Sequence, residues 1–298
     1  MRAWAIVAAL LVLGLSAVVL LRSNGTSKPS PTPPGAARVV ALSPALAVIA
    51  RDLGFAPLIV GRHGYDMVLD RAMPVCGDQA GIDYEALLRV RPTLVLTEWS
   101  GELPPRLLTL GKQHGWRIQN FNLLTLDDIA DATVWLAGTL GTGLPDSPAS
   151  ALSRRMDAAW SLHPGLERAG RVLLLESLDP PAALGPGSCH HQVLVRIGGT
   201  PAIVTGAPYV TLDAEDLLRL APDAIVWINP RDPAAPHAAD ALDPAALRRR
   251  LGRIGDLDLP AFRTGRVALI DDPLSLTPST AMIAFAEHLA AILERWSD

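Results

Sequence analysis

The stretch EALLRVRPTLVL at residues 85–96 returns, altered, as EDLLRLAPDAIV at residues 215–226, an offset of 130 residues (215 against 85). That interval is too long for a solenoid period and fits two copies of one small lobe. Each copy reads alike: Asp83 or Asp213 at the N-cap, Glu85 or Glu215 in the first turn, a Leu-Leu pair on the buried face, then a Pro turn into a buried strand. The strands that open the two halves echo each other too, RVVAL from residue 38 and RVLLL from residue 171. Capping and the helix dipole account for the acidic residues locally. They do not account for both halves keeping them.

Working outward, short β-rich runs alternate with helical ones. In the first half the runs are 38–42, 58–60, 94–96 and 117–121; in the second they are 171–175, 202–204, 224–227 and 266–270. Such alternation predicts βα units around mostly parallel strands. Between the halves, TLDDIADATVWLAGTLG at 125–141 carries Leu126, Ile129, Ala130, Thr133, Ala137 and Leu140 on one helical face, opened by Asp127 and Asp128. ALSRRMDAAWSL at 151–162 continues the helical pattern, and STAMIAFAEHLAAILERW at 279–296 closes the chain with another helix. The expected fold class is α/β: two Rossmann-like lobes, 37–123 and 166–298, joined by a long rigid helix within 124–165, with a ligand cleft between them.

Composition narrows the function. A hydrophobic content of 49% against 19% charged residues describes a folded chain, and 298 residues suffice for two modest lobes with cores of their own. A net charge of −4, with no segment that concentrates Lys and Arg, argues against a nucleic-acid partner. Residues 4–21 are all apolar or small, flanked by Arg2 and Arg22, and end in Val18-Val19-Leu20-Leu21 without a small-x-small cleavage site. We read residues 1–22 as an uncleaved membrane anchor in preference to a removed signal peptide. No Cys follows the run before Cys76, which excludes a lipidated cysteine at its end. SNGTSKPSPTPPG, within the 23–36 linker, is a semi-rigid polyproline-rich tether. Cys76 and Cys189 are either one bridge or two small hydrophobes, and spacing does not choose.

Five further stretches complete the pattern: RVVALSPALAVIARDLG at 38–54, LIVGRHGYD at 58–66, PVCGDQAGIDYEALLRVRPTLVL at 74–96, GPGSCHHQVLVRIGGTPA at 185–202 and APYVTLDAEDLLRLAPDAIVW at 207–227. From about residue 37 onward the chain resembles the periplasmic binding proteins of ABC importers that carry vitamin B12, ferric siderophores or haem. The resemblance implies a monomer at the extracytoplasmic face of the cytoplasmic membrane; that family usually ends its leader in a cleavage site or a lipidated Cys, and this chain departs from it in showing neither, so the anchor is read from residues 4–21 alone. The resemblance also implies no permanent cofactor, and capture of cobalamin, haem or a ferric siderophore for delivery to a permease. Glu85 and Glu215 match the positions at which that family pairs an acidic residue on each lobe with arginines of the permease. Two carboxylates, one per lobe, would give orientation and on-rate more than affinity.

In α/β lobes, ligands sit beyond the carboxyl ends of the strands. That rule selects Ser43, then His63 and Tyr65 in the GRHGYD loop, Gln79, Trp99, the 188–191 segment with Cys189 and His190, then Tyr209 and Asn229. Aromatic groups there suit a large, flat ligand. Trp99 matches a position where the family sets an aromatic against its ligand, and Tyr209 has the chemistry to stack or to ligate haem iron. Against these stand loop aromatics folded onto their own lobe. A soft-metal or axial-haem set drawn from His63, Cys76, Cys189, His190 and His191 lacks the paired spacing of a zinc motif, so no metal site is assigned. No GxSxG, HExxH or Walker loop is present, so no catalytic residue is assigned. The alternatives are a membrane-tethered sensor module with the same fold, a transition-metal-binding protein, and a metal-dependent enzyme built on His63, Glu98 and residues 189–191.

Overall fold

The computed structural model describes residues 37–141, 148–236 and 243–297. The anchor and tether assigned to residues 1–36 lie outside the described residues. No helix among the described residues is long and apolar enough to cross a membrane.

The first half builds a sheet from β1 (Val39–Ala41), β2 (Ile59–His63), β3 (Val75–Asp78), β4 (Gly81–Ile82), β5 (Leu94–Thr97) and β6 (Arg117–Asn120), in the order β4-β3-β2-β1-β5-β6. All pairs are parallel except β3 with β4. The second half builds another from β7 (Arg171–Leu178), β8 (Pro181–Leu184), β9 (Thr200–Pro201), β10 (Tyr209–Thr211), β11 (Ala224–Ile228) and β12 (Val267–Ile270). Its order is β10-β8-β7-β11-β12, with β9 alongside β7. The core strands β7, β11 and β12 are parallel, whereas β8 and β10 add on antiparallel. The strand expected at 202–204 is displaced: only Thr200–Pro201 pairs, alongside Arg171 and Val172, and from Leu175 onward the same edge of β7 is taken by β8.

Alternation along the buried strands splits each sheet between two cores, as period-two geometry requires of parallel strands covered on both faces. Val40 and Val95 face a cluster private to the first lobe, with Leu87, Leu107 and Trp116. Leu173, Leu175, Ile225, Trp227 and Leu269 face one private to the second lobe. The opposite faces of both sheets (Val39, Ala41 and Leu96; Val172, Leu174, Val226 and Ile270) enter one common cluster. Ile129, Leu136, Met156, Phe285 and Leu289 from the helices Leu126–Leu140, Pro148–Ala159 and Met282–Ser297 fill it. Each fully buried Leu or Phe is worth roughly 1.5–3 kcal/mol, so the lobes are joined by packed apolar volume as well as by chain.

Polar ties cross the same seam. The Thr280 hydroxyl donates to Asp52 Oδ2 at 2.5 Å. The Leu126 N–H donates to Gln192 Oε1 at 2.8 Å, and the Cys189 N–H to the Leu124 carbonyl at 2.7 Å. Arg196 meets Asp127 at 2.7 Å. Thr125 and Asp128 form a reciprocal capping box at the start of Leu126–Leu140.

The repeated helices are Tyr84–Val90 and Ala214–Leu220. Asp83 and Asp213 cap them, accepting from the Ala86 and Asp216 N–H groups at 2.9 and 2.8 Å. The Leu-Leu pairs correct the sequence reading: Leu87 and Leu217 are fully buried, but Leu88 and Leu218 face solvent. Adjacent helical residues point about 100° apart: in the first helix Ala86, Leu87 and Val90 take the inward face, and in the second Leu217 does, which turns Leu88 and Leu218 outward.

Candidate functional site

The carboxyl ends of the first-lobe strands carry the first wall. Beyond β1, the buried Ser43 caps the helix Pro44–Asp52 by accepting from the Leu46 N–H, and its hydroxyl donates to Glu98 Oε2 at 2.7 Å. Burial pushes the Glu98 carboxyl above its usual range, against the opposing pull of the Ser43 hydrogen bond. Trp99 follows immediately. Asn120 at the end of β6 clamps its backbone, accepting from the Trp99 N–H at 2.8 Å and donating to the Trp99 carbonyl at 3.0 Å. The indole itself is exposed.

Beyond β2 the chain makes a braced loop. Arg62 is buried and donates to the carbonyls of His63 at 3.1 Å and Arg71 at 3.1 Å, closing residues 63–71 on themselves. The buried Asp66 accepts from the Val68 and Leu69 N–H groups at 3.1 and 2.7 Å. His63 Nδ1 accepts from the Tyr65 N–H at 3.2 Å, and burial lowers the imidazole's affinity for protons while Asp78 and Asp66 raise it and Arg62 lowers it. This scaffolding leaves Tyr65 60% exposed at the loop tip.

The second lobe answers from the ends of β11 and β12. The Asn229 N–H donates to the Ile270 carbonyl at 3.0 Å, and Arg231 holds the following turn by donating to the Ala235 carbonyl at 2.7 Å. Arg62, Tyr65, Asp66, Met67 and Arg71 of the first lobe and Pro230, Arg231, Asp232 and Pro273 of the second line one interlobe cavity of about 510 Å³. Arg62 Nε, Arg231 Nε and Asp66 Oδ2 are buried and make no hydrogen bond among the described residues. Three guanidiniums facing two carboxylates leave this wall cationic, and buried donors without partners favour an occupant that brings acceptors.

A second group lies along β7, β8 and β10. The pairing of β7 with β8 shifts register between Leu175 and Ser177, a bulge that sets Glu176 out of the ladder. Burial raises the Glu176 carboxyl. Tyr209 pairs with Leu184 at the edge of the sheet and is half exposed. Burial raises its phenol first, and the neighbouring acidic groups of Cys189, Glu176 and Glu98 add to that.

Of the residues selected from sequence, Tyr65 lines the cavity, and Asn229 immediately precedes its Pro230–Pro233 wall. Ser43 acts through Glu98, and Trp99 and Tyr209 are exposed at strand ends. Gln79 is exposed on the β3–β4 turn, at the sheet edge. Cys189 and His190 are each 1% exposed. The His190 ring stacks edge-on against Phe285, and its Nε2 lies 2.7 Å from the Ser275 carbonyl. A carbonyl only accepts, so Nε2 carries the proton and Nδ1 is left to face the Cys189 sulfur at 3.5 Å. These two residues present no donor to the cleft: the turn that places Cys189 under Leu124 also turns His190 into the common core. His191 reaches the Ile203 carbonyl at 3.1 Å. Cys76 and Cys189 are both buried free thiols, pushed up to about 11 and about 12 by burial. Among the described residues, no group of three or more His, Cys, Asp or Glu is arranged to hold a metal ion.

Arg71, Arg231 and Glu176 were not selected from sequence. The two arginines sit in loops without periodicity. The bulge at Glu176 has no local signature in ESLDPP.

No protein-family model and no curated protein matches the chain. Solved structures do. The periplasmic heme-binding protein BhuT, in complex with two hemes, is 23% identical, covers 89% of this chain and 100% of its own, and superposes with a TM-score of 0.67. The periplasmic heme-binding protein RhuT from Roseiflexus sp. RS-1 is 21% identical over 89% of this chain and 100% of its own, TM-score 0.65. The periplasmic vitamin B12 binding protein BtuF of Vibrio cholerae is 21% identical over 88% of this chain and 98% of its own, TM-score 0.64. The chain has the two-lobed α/β fold of these periplasmic binding proteins.

Proposed function

We propose that the chain is an extracytoplasmic substrate-binding protein of an ABC importer, which captures a haem, cobalamin or ferric-siderophore ligand between its lobes and passes it to a membrane permease. One observation carries the reading. Arg62, Tyr65 and Arg71 from one lobe and Arg231 from the other converge on a single interlobe cavity, in a fold shared with heme- and B12-binding periplasmic proteins. The phenol offers a stacking face, and the guanidiniums offer bidentate partners for carboxylate or catecholate-like oxygens. The common core makes the lobes one stiff body, so capture needs only small closure, with the loops already braced before the ligand arrives. The role is binding rather than catalysis: the polar groups of the cleft serve as donors, acceptors and stacking faces.

The apolar run at residues 4–21 and the Pro-rich segment after it complete the proposal as a membrane anchor and spacer, which would keep the captured ligand close to the permease. Glu85 and Glu215, both exposed, would be the permease contacts. Ligand uptake by cells lacking the chain tests the reading. Restored accumulation of one ligand class on re-expression is expected; unchanged accumulation of all three classes with and without the chain would overturn it.

A further inference from the structure

The repeat breaks at Trp99, and the break fixes an exposed tryptophan. At the 130-residue offset (229 against 99) Trp99 matches Asn229. In the second lobe the ladder of β11 and β12 runs on through this position: Ile228 pairs with Ile270, and the Asn229 N–H donates to the Ile270 carbonyl at 3.0 Å. In the first lobe the ladder of β5 and β6 stops at the pair Thr97 and Asn120. The Trp99 N–H turns instead to a side chain, donating to Asn120 Oδ1 at 2.8 Å, and Asn120 Nδ2 donates back to the Trp99 carbonyl at 3.0 Å. The Thr97 hydroxyl donates to the same Oδ1 at 2.8 Å, which holds the amide plane in place. One side chain does for Trp99 what main chain does for Asn229.

The preceding residue is pinned as well, since the Ser43 hydroxyl beyond β1 donates to Glu98 Oε2 at 2.7 Å. Strands β1 and β5 are neighbours at the point where the sheet reverses its order, with β2, β3 and β4 on one side and β6 on the other. Ligands of open α/β sheets bind outside the carboxyl ends of the strands at such a switch point. Trp99 stands there 38% exposed, whereas Trp116, Trp160 and Trp227 are buried. Ordering a side chain costs entropy, and an indole left in water gives nothing back for it. A fixed indole serves a partner that stacks on it.

We infer that Asn120 is a positioning residue for ligand capture: its amide replaces a rung of the sheet and sets the Trp99 indole as a wall of the cleft before the ligand arrives. This rests on the ligand-binding reading above and adds to it a residue that acts through another. Without the amide the indole is present but mobile, so the ligand must order it on binding and affinity falls.

The test uses the full chain in detergent micelles, labelled with fluorotryptophan, as wild type, Asn120→Ala and Asn120→Asp. The Trp99 fluorine resonance is identified by its loss in Trp99→Phe. Asn120→Asp keeps the acceptor for the Trp99 N–H and loses the donor to its carbonyl, so it separates the two bonds and stays informative should Asn120→Ala fail to fold. Without ligand, the Trp99 line is expected to be sharp in the wild type, to broaden in Asn120→Ala and to broaden less in Asn120→Asp, with the other tryptophan lines unmoved. Titrated with haem, a corrinoid and a ferric siderophore, Asn120→Ala should weaken binding of the captured class about three- to tenfold, the cost of ordering one rotamer-rich side chain. In a Trp99→Ala background the same substitution should change affinity by less than about twofold, because the two residues act as one unit. An equal loss in both backgrounds, or a Trp99 line unchanged in both variants, overturns the inference while the importer reading stands. A wild-type chain that binds none of the three ligands sinks the importer reading, and the clamp is then judged by the Trp99 line, which needs no ligand.

Discussion

Arg38 and Arg171 hold the same place in the two lobes. Arg38 donates from its guanidinium to the carbonyls of Val90 at 2.7 Å and Arg91 at 3.1 Å, and Arg171 donates to that of Ala221 at 2.6 Å. Their backbone N–H groups match as well, donating at 2.9 Å to Thr93 Oγ1 and to Asp223 Oδ2. Each arginine opens its lobe's first core strand and clasps the last carbonyls of the repeated helix, where a cation also suits the helix dipole. The internal repeat is therefore one of tertiary contacts as well as of sequence.

Removing either clasp should cost about the same. Arg38→Met and Arg171→Met are each expected to lower stability by about 1–2 kcal/mol, since they lose part-exposed charged hydrogen bonds to helix-end carbonyls. Urea unfolding measures it. A loss in one lobe only would break the equivalence.

Both repeated helices stop in the left-handed region, Arg91 at φ 45° and Ala221 at φ 41°. A residue with a Cβ is strained there by roughly 1–2 kcal/mol, and glycine regains most of that while losing some chain entropy. Ala221→Gly should therefore keep or raise stability, by up to about 1 kcal/mol, whereas Ala221→Val should lower it. Thermal midpoints of the two variants distinguish these outcomes.

The buried His190 makes stability depend on pH. Burial lowers its pKa to about 4, against the smaller opposing pull of the Ser275 carbonyl. The unfolded ring, near 6.5, takes its proton first, so the contribution is full above pH 6.5 and is lost as pH falls toward 4. Its size is about 3 kcal/mol at most. Urea midpoints at pH 7.5 and pH 5 should diverge in the wild type. In His190→Gln the divergence should shrink.

The shared core makes one further claim. Phe285 is among the largest fully buried side chains and touches the cluster that both sheets enter. Phe285→Ala should cost about 3–5 kcal/mol. Because the cluster is common, the two lobes should unfold in one transition, followed by Trp99 in the first and Trp227 in the second. Two separated transitions would show the lobes to be independent.

What could be read in the sequence was what recurs locally. Asp83 and Asp213, the Pro turns after Arg91 and Ala221, and the apolar runs at 39–41, 94–97 and 224–228 each carry their own signal, so the lobes and strand ends were legible. The burial of Cys189 and His190 was not, because Phe285 and Ser275, which enclose them, lie 85 or more residues further along the chain. An LL pair followed by Arg resembles a buried pair in sequence at Leu88 and Leu218 alike; only the geometry of a short helix on a sheet turns the second leucine outward. Arg71 and Arg231 meet across the cleft only once both lobes have folded.

The most direct test of the account is an absorbance and tryptophan-fluorescence titration of the chain with haem, a corrinoid and a ferric siderophore, in the wild type and in Tyr65→Ala and Arg231→Ala. The account predicts saturable binding of one class with a Kd of roughly 1 μM or below, weakened about tenfold or more by each substitution, one from each lobe. Saturable binding that neither substitution disturbs, or no binding of any class, would contradict the assignment of the cleft.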